Sequence, residues 1–319
     1  MVGPDPKAGW KPGAAQPMLK LRATLLGEIR AFMRARGVLE VETPVLSRAG
    51  NSDPGIEQFS LHDAARYLRT SPEYAMKRLL AAGSGDIFEL GRVFRAGEQG
   101  RFHNPEFTLL EWYRCDWSYQ RLMDEVTALV RHCLPGFELA ESRVSYRALL
   151  QTHANIDHVT ASDKDLAARV RECGYDGPAL DRNGMLDLLV THLAQPQLPE
   201  HGLTLVYDYP PDQAALARIR PGPVPVAERF EVFLGRIELA NGYQELTDAE
   251  EQRQRFASEA TLRAERDQSR APLDERLLAA LSAGLPECSG VALGVDRLLM
   301  HRAGAASLDE VMAFSANRA

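Results

Sequence analysis

The chain has too few cysteines to be held together by them, and those it has stand far apart. Cys115, Cys133, Cys173 and Cys288 show neither metal-ligand nor redox spacing, which excludes a zinc module and a disulfide scaffold and leaves free thiols in a reducing compartment. No apolar run approaches the roughly 20 residues that cross a bilayer. The N-terminus also lacks the apolar core of a secretory signal, so the expected location is the cytoplasm. Positive charge is short as well: 37 Lys and Arg against 44 Asp and Glu give a net charge of −7, which argues against a general nucleic-acid surface. Histidines such as His132, His153, His158 and His192 are scattered without ligand spacing, so no His or Cys metal site is expected. Internal repeats and low-complexity segments are lacking too.

What is there is a soluble globular composition, 45% hydrophobic and 25% charged, in 319 residues, enough for one large or two ordinary domains. Residues 1–17, with four Pro and three Gly, read as a flexible arm. Leu19, Leu21, Leu25, Leu26, Ile29, Phe32 and Met33 recur at helical spacing up to Gly37, a natural stop. Residues 38–43 read as a strand running into Pro44. A second helix is expected over 75–82, with Thr70 or Ser71 as its cap. Residues 118–200 read as helices joined by loops, 203–209 as a strand stopped by Pro210-Pro211, and 249–267 as a charged helix with a solvated face.

The stretch 86–114 organises the rest. Ile87 to Phe94 and Phe107 to Tyr113 are apolar and aromatic runs flanking a charged loop closed by Asn104-Pro105, which predicts an antiparallel pair with a functional loop. Alternation puts Glu111 and Tyr113 on one face, a carboxylate beside an aromatic ring, suited to an ammonium group. Arg95, at the end of the first strand, is a fork suited to phosphate. A second chemical stretch, 229–248, reads as two short strands hinged at Gly235. It carries Glu231, Glu238 and Glu245, and carboxylates converging on one cleft ask for cations: Mg²⁺ with ATP phosphates, and a positively charged substrate.

Phe94-Arg95, then Arg101-Phe102-His103-Asn104-Pro105-Glu106-Phe107-Thr108 and Glu111, resembles motif 2 of the class II aminoacyl-tRNA synthetases in its lysyl form. Gly37 to Leu46 resembles motif 1, and Ser289 to Met300, with Gly294 and Arg297, resembles motif 3. The resemblance implies an α+β fold, the class II aminoacyl-tRNA synthetase-like catalytic core over 18–319, with a mainly antiparallel sheet flanked by helices and a helical insertion at about 118–200. It implies a homodimer built through motif 1. It implies ATP contacts at Arg95, Glu98, His103, Asn104, Glu238, Leu239, Gly294 and Arg297, with Arg95 and Arg297 as the catalytic pair that stabilises charge on phosphate. It places Mg²⁺ at Glu231 and Glu238. The substrate pocket falls on Ser71, Glu73, Glu111, Tyr113, Asn241, Tyr243, Glu245 and Ala292: Glu73 for the amino group near the substrate carboxylate, and Glu245 for the side-chain ammonium. Two positions depart from the pattern. Gly97 stands where the motif 2 glutamate is usual, with Glu98 next to it, and Ala292 stands where lysyl-tRNA synthetases often have Gly.

The stretches outside motifs 1 and 3 are too short for an anticodon-binding barrel, so a catalytic core without a tRNA reader is expected. That pattern resembles stand-alone paralogues of lysyl-tRNA synthetase that modify translation elongation factor P. It implies an AMP-forming ligase that adenylates (R)-β-lysine or lysine and transfers it to a lysine ε-amino group of that factor. A truncated lysyl-tRNA synthetase-like enzyme acting on tRNA shares every pocket residue. A non-catalytic regulatory paralogue is disfavoured by the presence of Arg95, Glu238 and Arg297.

Overall fold

A computed structural model describes residues 10–61, 66–268 and 271–319. Residues 1–9, most of the expected arm, lie outside them. The end of that arm is tied down, because the amides of Gly13 and Ala14 donate to the carbonyls of Ala313 and Met312 at 2.8 and 3.1 Å. Helix α1 (Gln16–Ala35) then begins with Pro17 in its first turn, where a missing N–H costs nothing. It buries Leu25, Ile29, Phe32 and Met33, and the chain leaves it through Gly37 at φ +72°.

After α1 come β1 (Leu39–Glu40), β2 (Leu46–Ser47), β3 (Ser60–Leu61), β4 (Arg66–Leu68) and α2 (Glu73–Ala81). The strand expected over 38–43 is therefore only two residues long. The organising pair forms as expected: β5 (Ile87–Phe94) runs antiparallel to β6 (Glu106–Cys115). The segment read as all-helical holds α3 (Tyr119–Cys133), α4 (Tyr146–Ala154), α5 (Asp163–Glu172) and α6 (Arg182–Leu189), but also a strand, β7 (Ala140–Ser145). Its sequence is too polar and exposed to alternate visibly. The remaining elements are β8 (Gly202–Tyr209), β9 (Ile219–Arg220), β10 (Val226–Leu234), β11 (Ile237–Gln244), α7 (Ala249–Glu265), α8 (Glu275–Gly284), β12 (Cys288–Gly294) and α9 (Val295–Ala303).

The main sheet runs β1-β5-β6-β12-β11-β10-β8-β7, with β9 added on β10. Only the edge pairs β1–β5 and β7–β8 are parallel; every other pair in it is antiparallel. This is a mainly antiparallel α+β sheet, not a doubly wound one. One face is sealed by α1, α3 and α9 against Phe88, Leu110, Trp112, Val291, Leu293, Phe230 and Val232. The insertion packs α4 to α6 on Val206, Tyr209 and Phe233 as a second core. Helix α2 packs with α8 on the other side of the sheet, over Ile87, Tyr113 and Cys288.

Helix α7 is less solvated than its charge suggests. Phe256 is buried, and the buried guanidinium of Arg263 donates to the carbonyls of Ser52, Asp53 and Ile56 at 3.0, 2.6 and 2.6 Å. The helix thereby holds the 52–56 loop beside the open face of the sheet.

Candidate active site

Strand register builds the site. Glu89, Glu111, Ala292, Asn241 and Glu231 are successive partners across β5, β6, β12, β11 and β10, and the next row reads Ile87, Tyr113, Gly290, Tyr243 and Arg229. Partners in register project to the same face, so two rows of one sheet carry most of the expected pocket. A β-bulge aligns the third part. Val232 pairs with Ala240 but Phe233 with Glu238, so the ladder skips Leu239. The extra residue shifts the alternation and brings Glu238 to the same side as Asn241 and Tyr243, while Leu239 and Ala240 enter the core.

Over these rows lies a cavity of about 780 Å³, in the range of a small-molecule site. Every residue expected at the ATP and substrate positions lines it, and Glu231 does not. Gly290 keeps it open: a Cβ there would stand 2.3 Å from Tyr113 Cε1 and 2.5 Å from Glu245 Oε1.

One end is acidic. Ser71 donates to Glu111 Oε2 at 2.6 Å and accepts from the Glu73 amide at 3.0 Å, while the Tyr113 hydroxyl donates to Glu111 Oε1 at 2.7 Å. The N-cap of α2 is Pro72 and not the expected Thr70 or Ser71, but the Ser71 hydroxyl takes the first amide of the helix and braces a carboxylate at once. Lys77, one turn along α2, places its ammonium 2.7 Å from Glu73 Oε1 and 2.6 Å from Glu245 Oε2. Burial, reinforced by Glu73, pushes the Glu111 carboxyl up to about 8. Burial also pushes Glu245 up to about 7, with Lys77 pulling against it. Lys77 itself is raised above the ordinary lysine value, because Glu245 and Glu73 outweigh its own desolvation.

The other end is cationic. The Arg95 guanidinium lies 5.2 Å from the centre of the Phe107 ring and 3.4 Å from Glu98. Gly97, at φ +77°, makes the turn that returns Glu98 to Arg95, which sequence pattern alone leaves open. Arg297 donates to the Glu238 carbonyl at 2.7 Å and lies 2.9 Å from His103 Nε2. Burial and the neighbouring Arg297 hold His103 below its ordinary pKa, so a neutral ring accepting from Arg297 fits the geometry. Asn104 is committed: its side chain donates to the Glu106 carbonyl at 2.6 Å and accepts from the Ala316 amide at 2.9 Å. It braces the loop, and, like Leu239 with its side chain in the core, leaves its backbone to line the cavity.

The two expected metal carboxylates differ. Glu238 is loosely held, 3.8 Å from Arg297, and is free to meet a cation that arrives with phosphate. Glu231 is bound to Arg229 at 2.6 Å and would have to release it. Among the described residues no group of three or more His, Cys, Asp and Glu is placed to hold a metal ion.

Sequence reading missed Lys77, Arg229 and the far rim, where Asn51, Ser52, Asp53 and Glu259 line the cavity. Burial raises Glu259 to about 7. The spacing of Glu73 and Lys77, four apart on a helix, was the available signal for one of them.

A family profile described as "tRNA synthetases class II (D, K and N)" matches residues 10–318. Proteins from Salmonella gallinarum, Salmonella heidelberg and Salmonella enteritidis, each described as "Elongation factor P--(R)-beta-lysine ligase", are each 47% identical to the chain over 323 residues, covering 98% of it and 99% of the relative.

Proposed function

The chain belongs to the class II tRNA synthetase family of the D, K and N type, and from that premise we propose that it is an ATP-dependent ligase that adenylates (R)-β-lysine or lysine and transfers it to a lysine ε-amino group of translation elongation factor P. The observation that carries this reading is the polarity of the cleft. Three carboxylates, Glu73, Glu111 and Glu245, meet at one end, and Arg95 and Arg297 stand at the other. A diamino acid with its carboxylate directed toward ATP matches that order of charges.

In the first half-reaction a carboxylate oxygen of the amino acid attacks the α-phosphorus, and the bond to the bridging oxygen of pyrophosphate breaks. Glu73, Glu111 and Glu245 hold the ammonium groups. Arg95 and Arg297 stabilise the charge that builds on phosphate oxygens, as preorganised forks in a partly water-excluded cleft. Mg²⁺, when bound with ATP beside Glu238, would neutralise phosphate charge. In the second half-reaction the acceptor amine, having lost a proton, attacks the acyl carbon, the bond from that carbon to the bridging oxygen breaks, and AMP leaves with the bridging oxygen.

The test is pyrophosphate exchange dependent on lysine or (R)-β-lysine, followed by the mass of elongation factor P after incubation. Exchange and a mass gain of one residue are expected. No exchange with any amino acid would overturn the enzyme reading, and charging of bulk tRNA would favour a synthetase acting on tRNA instead. We further propose a cytoplasmic homodimer through motif 1; the dimer is supported by exposed apolar side chains in that motif, Leu39 on the edge strand β1 and Val45 and Leu46 after it, which are 56%, 40% and 46% exposed.

A further inference from the structure

Lys77 has no part in the reaction just outlined, yet it lies beneath the acidic end with 1% of its surface exposed. Its partners, Glu73 on α2 and Glu245 just beyond β11, come from distant parts of the chain and are the carboxylates assigned above to the two amino groups of the substrate. An isolated ammonium at that depth would be driven toward its neutral form, and the two carboxylates keep it charged. Glu245 then has one oxygen on Lys77. Both oxygens of Glu245 are buried and lack a hydrogen-bond partner of ordinary geometry among the described residues: Oε2 meets Lys77 as an ion pair, and Oε1 lies against Gly290 in the wall of the cavity. A buried carboxylate oxygen without a partner is costly, and an incoming ammonium is the group that satisfies it.

We propose that Lys77 is a positioning residue for substrate selection: it gathers Glu73 and Glu245 onto one ammonium, so fixing the spacing of the two anchors, and cancels one of the three negative charges they make with Glu111 once a bound substrate's ammonium groups hold all three carboxylates ionised. What remains is a deficit of two positive charges, the number a diamino acid supplies. A monoamino acid leaves a carboxylate unmet. The inference rests on the diamino-acid reading of the site.

Lys77→Met keeps length and volume while removing the charge. In pyrophosphate exchange, its KM for lysine and (R)-β-lysine should rise at least about tenfold. Its kcat at saturation and its KM for ATP should stay within about twofold of wild type. In Lys77→Ala, added propylammonium should lower the KM for the diamino acid again. If Lys77→Met does not fold, Lys77→Arg, which keeps the charge but displaces both carboxylates, should raise the same KM alone. An unchanged KM for the diamino acid, a loss in kcat accompanied by a rise in KM for ATP, or no response of Lys77→Ala to propylammonium would each overturn the proposal. Absence of exchange in the wild-type enzyme would instead count against the proposed function.

Discussion

Glu245→Gln separates the charge of the side-chain anchor from its shape. In the wild-type cleft Glu245 is faced by Lys77 and Glu73 from α2, by Glu111 and Tyr113 from β6, by Tyr243 from β11 and by Cys288 from β12. Deleting one side of a buried ion pair costs about 3–5 kcal/mol, and about 1.4 kcal/mol is tenfold. Where Glu245 is ionised, at about pH 8.5, the KM for lysine in the variant should therefore exceed that of wild type by two orders of magnitude or so. The folded carboxyl is pushed up to about 7. At about pH 6, roughly nine-tenths of the free wild-type enzyme carries a proton there, so the ratio of the two KM values should shrink about tenfold. Glu111 titrates in both proteins, and at a lower pH in the variant, where the Glu245 charge that helps to raise it is gone. The assay is pyrophosphate exchange at subsaturating lysine or (R)-β-lysine over pH 6 to 8.5, with ATP binding measured separately and expected to be unchanged. A ratio that is flat with pH, or below about threefold throughout, would refute Glu245 as the ionised anchor and turn attention to Glu111.

Stability should move against pH in the same window. Glu111 is raised to about 8, and Glu245 and Glu259 to about 7, so the folded chain holds protons that the unfolded chain has released; their stabilising contribution is complete below the ordinary glutamate pKa and is lost as pH rises through 7 to 8. The urea midpoint should fall between about pH 5 and 8, and a midpoint that rises would show the sign to be wrong. For the dimer, Leu46→Glu should reduce the mass seen by light scattering at micromolar concentration from two chains to one, whereas a wild-type chain already monomeric there would contradict the motif 1 interface.

The parts of the site legible in the sequence are those written in local alternation. Glu111 and Tyr113 on β6, and Asn241 and Tyr243 on β11, share a face because they are two residues apart, and that much needs no tertiary information. The fold class follows from the same strands and from motifs that recur in order. What escaped depends on partners far away in the chain. Lys77 looks like any helix lysine until Glu245 is folded against it, and Glu231 looks like a metal carboxylate until Arg229 takes it. Arg263 reads as a solvated charge, yet it is buried on three carbonyls of a loop about two hundred residues earlier. The polar edge strand β7 draws its order from the neighbour β8, not from its own pattern.

The skipped residue on β11 works as a phase joint between two vocabularies. In the proposed reading, the cleft side of the strand speaks to phosphate through Glu238 upstream of Leu239, and to the amino acid downstream through Asn241, Tyr243 and, just past the strand's end, Glu245. Removing one of the two inward residues, Leu239 or Ala240, would leave Glu238 and Asn241 in plain alternation on the cleft side and would cost only the bulge's extra length and twist between the two halves. Exchanging side chains downstream keeps both the phase and that spacing. A single strand can in this way hold one nucleotide chemistry constant while the identity of the activated acid is rewritten a few residues away.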